Sequence, residues 1–183
     1  MNNKISKHHV DLLGEHQINN NILNTEKEKY DFVYWYLIHI KYSQKDTTNF
    51  KIVYDDRIKE DRVAIKLSYI HEIYNKIFGT DFDDSIIDKD EIASNKYVYT
   101  PMAWGGGYPG TLKVNQLTLN EKTGEYSLYV DILSPEDLTV EVPSYPFDDK
   151  YTEYESSLIV SKAIIKYKEE NGSKILTSWV YTR

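Results

Sequence analysis

The 183-residue chain contains no cysteine. That excludes disulfides, thiolate nucleophiles and cysteine-based zinc sites together, although it leaves the compartment open. Arginine is nearly as scarce, with Arg57, Arg62 and Arg183 standing against 19 lysines. Acidic residues are in excess: the net charge is −7, the isoelectric point is near 5.3, and no Lys/Arg run interrupts the balance. Nucleic-acid phosphates and anionic lipids both call for a basic patch, so no nucleic-acid partner is expected. Long apolar runs are missing as well. The longest covers residues 32–40, where about 20 apolar residues are needed to cross a bilayer, so no membrane span is expected.

The first nine residues lack the apolar centre of a signal peptide. Residues 1–24, polar and rich in Asn, are expected to form a flexible N-terminal segment ahead of a single α+β domain over 25–183. A removed leader would put the protein outside the cell or anchored at its envelope; without one it would be cytoplasmic. The abundance of Lys, Ile, Asn and Tyr looks like AT-rich coding and resembles proteins of low-GC Gram-positive bacteria.

What the chain has in quantity is tyrosine, 17 in all, within a composition that is 40% apolar and 28% charged. This is the balance of a globular chain and not of a disordered one. Tyrosine suits strands with one half-wet face, and it also favours contact surfaces.

The clearest patterning is C-terminal. Residues 157–168 and 174–182 flank Asn171-Gly172, a pair that accepts the positive φ of a tight turn, and so predict a β-hairpin. Ile159, Ala163, Ile165 and Tyr167 fall on one face of its first strand, with Lys162, Lys166 and Lys168 on the other. The second strand is apolar on both faces, through Ile175, Trp179 and Tyr181 on one and Leu176 and Val180 on the other, which predicts a place inside a sheet. A further hairpin is predicted from residues 112–119 and 125–133. There Leu112 and Val114 run out of phase with Leu117 and Leu119, which predicts a bulge near Asn115 and Gln116 and a curved sheet.

Upstream, Thr25-Glu26-Lys27-Glu28 matches a capping box and predicts a helix starting at Glu26, with Tyr30, Val33, Tyr34, Leu37 and Ile38 at helical spacing. Residues 50–54 suit a short strand or an extended connector. Val63, Leu67, Ile70, Tyr74 and Ile77 form one apolar stripe of a second helix, closed by Gly79. Residues 95–100 predict a further strand. Helices first and antiparallel strands afterwards give an α+β fold: N-terminal amphipathic helices packed on a curved antiparallel sheet of about four to six strands. In its order of elements, in the helix closed by residues 70–79, in Gly124-Glu125-Tyr126-Ser127-Leu128-Tyr129-Val130 and in the final hairpin, the chain resembles the nuclear-transport-factor-2-like (NTF2-like) and cystatin-like folds. The resemblance implies helices nesting in the concavity of a bent sheet; such folds host enzymes, secretion-system scaffolds and binding domains alike.

Four groups of residues are candidates for function. Trp104, Gly105, Gly106, Gly107 and Tyr108 form the first: the glycines let backbone approach a ligand closely, and the two aromatics can stack on a sugar, a proline or a peptide side chain. The run leads into Pro109 and a strand, not into the Gly-Lys-Ser/Thr of a phosphate loop, and a plain turn is the competing reading. Tyr145 and Phe147, flanking Pro146, form an aromatic loop that serves either as a partner-binding edge or as a cap on the core. The acidic loop of Asp81, Asp83, Asp84, Asp88, Asp90 and Glu91 has Ile86 and Ile92 where a calcium loop needs Gly and Glu, so no metal site is assigned. His39 and His71 complete the set. Paired with an acid such as Asp31 or Glu72, either would have the minimum for acid/base chemistry, but no spacing brings such a pair together.

No catalytic residue and no cofactor is therefore assigned. The expectation is a non-enzymatic binding or interaction protein of a Gram-positive cell envelope, with a protein or peptide partner. Two alternatives remain. One is an NTF2-like enzyme using His39 or His71 in a pocket between helices and sheet; the other is a structural subunit of a secretion or conjugation assembly, as the resemblance implies for some members of the fold.

Overall fold

The computed structural model describes residues 7–11, 23–38, 48–94, 96–101, 109–135 and 157–182. Its elements run β1 (Lys7–Asp11), α1 (Glu26–Tyr36), β2 (Phe50–Asp55), β3 (Glu60–Lys66), α2 (Leu67–Phe78), a 3-10 turn (Asp84–Ile86), β4 (Ile92–Ser94), β5 (Tyr97–Tyr99), β6 (Pro109–Asn120), β7 (Glu125–Pro135), β8 (Ser157–Glu170) and β9 (Ser173–Thr182). The class is α+β. The strands divide between two antiparallel sheets where one was expected: β1-β6-β7-β8-β9 and β2-β3-β5-β4.

Local chemistry explains the boundaries. The capping box forms as its sequence dictates, with Glu28 N–H donating to Thr25 Oγ1 at 3.1 Å and Thr25 N–H donating to Glu28 Oε2 at 2.7 Å. Tyr30, Val33, Leu37 and Ile38 are fully buried. Phe32 of α1 meets Trp179 of β9 and Phe78 of α2, while the Tyr34 hydroxyl donates to the Tyr99 carbonyl at 2.7 Å. Helix α2 ends on Gly79 at φ +69°, its N–H donating to Asn75 O.

The second helix starts later than its stripe. Val63 lies in β3, paired with Ile52, and only from Leu67 is the chain helical. A spacing of four is two strand repeats as well as about one helical turn, so Val63 and Leu67 suit both periods.

The β2–β3, β6–β7 and β8–β9 hairpins each close on a positive φ. Asn171 and Gly172 stand at +51° and +80° between β8 and β9. The β6–β7 turn puts Gly124 at +67°, with the Asn120 side chain accepting from Lys122 N–H. The β2–β3 turn repeats that design with Lys59 at +62° and the Asp55 side chain accepting from Arg57 N–H.

The bulge expected near Asn115 is present, as a register shift between Val114 and Gln116. A second shift corrects the expectation for β9, which is the last strand of its sheet among the described residues and not an interior one. Leu176 pairs with Tyr167 and Ser178 with Lys166, so Thr177 is the extra residue, and Leu176 and Trp179 come to the same buried face. What reads as two apolar faces is one face with a phase slip. Leu128, Val130, Ala163, Ile165 and Tyr167 continue that face across β7 and β8.

Candidate functional site

His71 and the acidic loop, separate candidates in the sequence, form one structure. His71 lies one turn into α2 on the side away from the buried Ile70 and Ile73. After Gly79 the chain doubles back, and the residues that follow close over the imidazole: Nδ1 lies 2.5 Å from Asp81 Oδ1, and Nε2 lies 2.8 Å from Asp84 Oδ1. Phe82, buried between them in sequence, stacks on the imidazole with its ring plane 3° away and its centroid at 4.1 Å. The loop is held rigid by its own bonds, with Asp81 Oδ1 accepting from Phe82 N–H at 2.9 Å and Asp83 Oδ1 from Ser85 N–H at 2.8 Å.

The electrostatics follow. Burial opposes a charge on His71, but the hydrogen bonds and charges of Asp81 and Asp84 outweigh it, and the imidazole pKa is raised above its usual 6.5. Asp81 is held below the usual carboxylate range, chiefly by its bond to His71. When the imidazole is protonated, each ring nitrogen has a carboxylate to donate to. A general base needs a free lone pair, and this histidine presents none in that state.

Beside His71 opens a cavity of about 440 Å³, lined by Lys66, Leu67, Ser68, His71, Lys96 and Tyr97. It forms where β3 passes straight into α2 and where the β4–β5 connection returns. Leu67 N–H donates to Lys96 O at 2.8 Å, and Lys66 pairs with Tyr97. Lys51, from β2, places its Nζ 3.6 Å from the centroid of the Tyr97 ring. Among the described residues, none of the ammonium groups of Lys51, Lys66 and Lys96 has an ion-pair partner. Helix α2 starts here with no capping side chain and no acid in its first turn, which adds the positive end of the helix to the same surface.

A second polar cluster lies at the far end of the small sheet. Asp55, 1% exposed, takes a bidentate pair from Arg57 (both contacts 2.9 Å) and a third bond from Arg62 at 2.9 Å. Arg62 also donates to Thr100 O at 2.5 Å, and both guanidiniums lie against the Tyr99 ring. The Arg57 guanidinium, helped by Arg62, holds the Asp55 carboxyl well below its usual range. Every lone-pair direction is occupied, so this cluster is a structural tie between hairpin and strand.

The remaining candidates, Trp104, Gly105, Gly106, Gly107, Tyr108, Tyr145, Phe147 and His39, lie outside the described residues. Asp31 and Glu72, the acids considered for histidine, do not meet His71; Asp31 is bonded to Lys27 Nζ at 2.8 Å. Among the described residues no group of three or more acids and histidines is arranged to hold a metal ion. Sequence reasoning missed the lysine-rimmed cavity altogether, because its residues come from β3, the β4–β5 connection, β5 and α2 and acquire a common location only through strand pairing. It also missed the Asp55 cluster, for which the signal was available: two of the three arginines stand within seven residues of one aspartate. Comparison with known protein families, with curated proteins and with solved structures finds no match to this chain.

Proposed function

We propose that this chain is a non-enzymatic binding protein whose ligand surface is the cavity between β3, the β4–β5 connection and the first turn of α2. The observation that carries the proposal is the open, lysine-rimmed space itself, placed beside a histidine whose two nitrogens are both engaged. A concave site with an apolar floor and a few convergent polar groups is the usual form of a binding site. Leu67 and Tyr97 supply the floor, and Lys66, Lys96 and Ser68 the polar rim.

The proposal extends to the architecture and the setting. Register shifts in β6–β7, β7–β8 and β8–β9 support a bent sheet, and the contacts of Phe32 and Gly79 with β9 support helices nesting on it in the NTF2-like or cystatin-like manner. The Lys-, Ile-, Asn- and Tyr-rich composition supports a low-GC Gram-positive source, and the polar, Asn-rich N-terminal sequence is what favours a place at its cell envelope with a protein or peptide partner.

The test is a screen of peptides and small molecules against the ¹⁵N-labelled chain. Hits that shift the amides of Leu67, Ser68, His71, Lys96 and Tyr97 as a group support the reading. Hits that collect elsewhere, with those amides unmoved, sink it.

A further inference from the structure

The cavity has a cationic rim around an apolar floor in a chain whose net charge is −7. Lys66 and Lys96 line it, and Lys51 stands over Tyr97 at its border. Among the described residues these three ammonium groups have no carboxylate partner, and the carboxylates nearest the cavity, Asp81 and Asp84, are taken up by His71, which leaves a local excess of positive charge in an acidic protein. Such an excess attracts a ligand carrying a few negative groups and leaves long polyanions repelled by the rest of the surface.

The same helix already shows which segment it holds. Asp81-Phe82-Asp83-Asp84 binds in cis through one cation and one aromatic face: Asp81 and Asp84 take the two edges of His71, and Phe82 lies flat on it. Immediately beyond His71, the cavity repeats these elements in intermolecular form. Tyr97 offers the ring face that Lys51 does not cover, Leu67 the apolar contact, and the lysines the carboxylate partners. A lysine pairs with a carboxylate as a point charge and without a fixed fork, which suits a segment whose acidic side chains are variably spaced. The β3–α2 junction, Lys66-Leu67, contains no glycine, so it lacks the close backbone cradle by which phosphates are usually held.

We infer that the cavity takes an acidic peptide segment of a partner protein, with an aromatic side chain on Tyr97 and Leu67 and flanking carboxylates on Lys66, Lys96 and Lys51. This rests on the binding-protein reading of the same cavity. It makes the partner's aspartates and glutamates, together with one aromatic residue, the determinants of recognition.

The experiment is a titration of the full ¹⁵N-labelled chain with capped Asp-Phe-Asp-Asp, with capped Asn-Phe-Asn-Asn, with capped Asp-Ala-Asp-Asp and with inorganic phosphate. The expected result is saturable shifts at Ser68, Lys96 and Tyr97 with the first peptide, weakened by added salt. The Asn and Ala peptides should each bind about tenfold less tightly, through lost charge pairs and lost aromatic contact respectively. Lys66→Gln and Lys96→Gln, both at exposed positions, should each weaken the first peptide by about two- to fivefold, as exposed ion pairs do. Their spectra away from the cavity should match those of the wild type, which separates lost contacts from lost folding.

Equal binding of the acidic and Asn peptides, or tighter binding of phosphate, overturns the acidic-peptide assignment while leaving a ligand cavity in place. Shifts confined to His71 and Phe82 overturn it too, because the peptide would then be replacing the cis loop and not filling the cavity. If no probe of any kind moves the cavity amides, the binding-protein reading falls with it.

Discussion

The imidazole of His71 lies flat on the ring of Phe82, centroids 4.1 Å apart, with Asp81 and Asp84 at its two edges. Phe82 in turn packs edge-on to Tyr30 and tilted against Tyr74, so the clamp fastens the acidic loop to both helices. Lys66 and Lys96 share the cavity with His71 from the sheet side. The His71 pKa is raised above 6.5, so its stabilising contribution is complete below that value and is lost as pH rises through the folded-state pKa. Asp81, with its pKa lowered from 3.8, contributes above that value and loses its contribution as pH falls through the depressed pKa. The clamp is therefore strongest between the two. An NMR titration should show His71 titrating above 6.5 and exchange of the Phe82 amide accelerating through the same pH range. Asp81→Asn should bring the titration down; an unchanged midpoint would show that the carboxylate is not setting it.

Gly79 and Gly172 share a left-handed backbone and differ in what surrounds them. A Cβ at Gly79 would stand 3.2 Å from Ile175 Cδ1, whereas a Cβ at Gly172 would meet nothing within 4 Å. Gly172→Ala should cost about 1 kcal/mol, the strain of a non-glycine residue at positive φ. Gly79→Ala should cost more, because the same strain is joined by pressure on β9. At about 2–4 °C per kcal/mol for a chain of this size, thermal melting resolves the two. Ile175→Val, by trimming the methyl that crowds the site, should recover part of the Gly79→Ala loss and none of the Gly172→Ala loss.

What was legible in the sequence was local. Thr25 and Glu28 announce a helix start because both partners of the cap lie within one turn, and Asn171-Gly172 announces a hairpin because each residue tolerates positive φ. The β2–β3 hairpin has the same turn as β6–β7 but places Lys59 where Gly124 stands, and without glycine the turn carries no signal. Which strands share a sheet is a long-range matter: β3 pairs with β5 across the whole of α2. Of the acids that the sequence offers His71, Glu72 faces elsewhere on the helix and Asp31 is bonded to Lys27. The true partners lie 10 and 13 residues on, reached only because Gly79 reverses the chain.

Asp55 anchors two arginines that differ in depth. Arg62 is 15% exposed and also serves Thr100 O and the Tyr99 ring, while Arg57 is 44% exposed. Arg62→Gln should therefore lower the melting temperature more than Arg57→Gln. The depressed Asp55 pKa makes its contribution present above the usual value of 3.8 and lost only as pH falls through the folded value. Wild-type protein should accordingly lose stability steeply at the acid end, and Asp55→Asn should show a shallower acid limb from a lower starting stability. Parallel acid limbs in the two proteins would remove Asp55 as the cause.

Tyr30 and Tyr34, adjacent turns of α1 with rings stacked 5.8 Å apart, make opposite predictions from the same substitution. The Tyr30 side chain is fully buried, and among the described residues its hydroxyl has no hydrogen-bond partner. Burial, reinforced by Glu91, pushes its pKa far above the usual 10, so the group is a neutral phenol with an unmet donor. Removing that hydroxyl relieves a desolvation cost and keeps the ring contacts with Tyr34 and Phe82, so Tyr30→Phe should leave stability unchanged or raise it by up to about 1 kcal/mol. Tyr34→Phe instead breaks the 2.7 Å bond to the Tyr99 carbonyl, the polar link between α1 and β5, and should cost about 1 kcal/mol. Urea unfolding of the two variants gives the answer through their midpoints at constant slope. If Tyr30→Phe is the more damaging of the two, its hydroxyl has a partner in solution and the argument from burial fails.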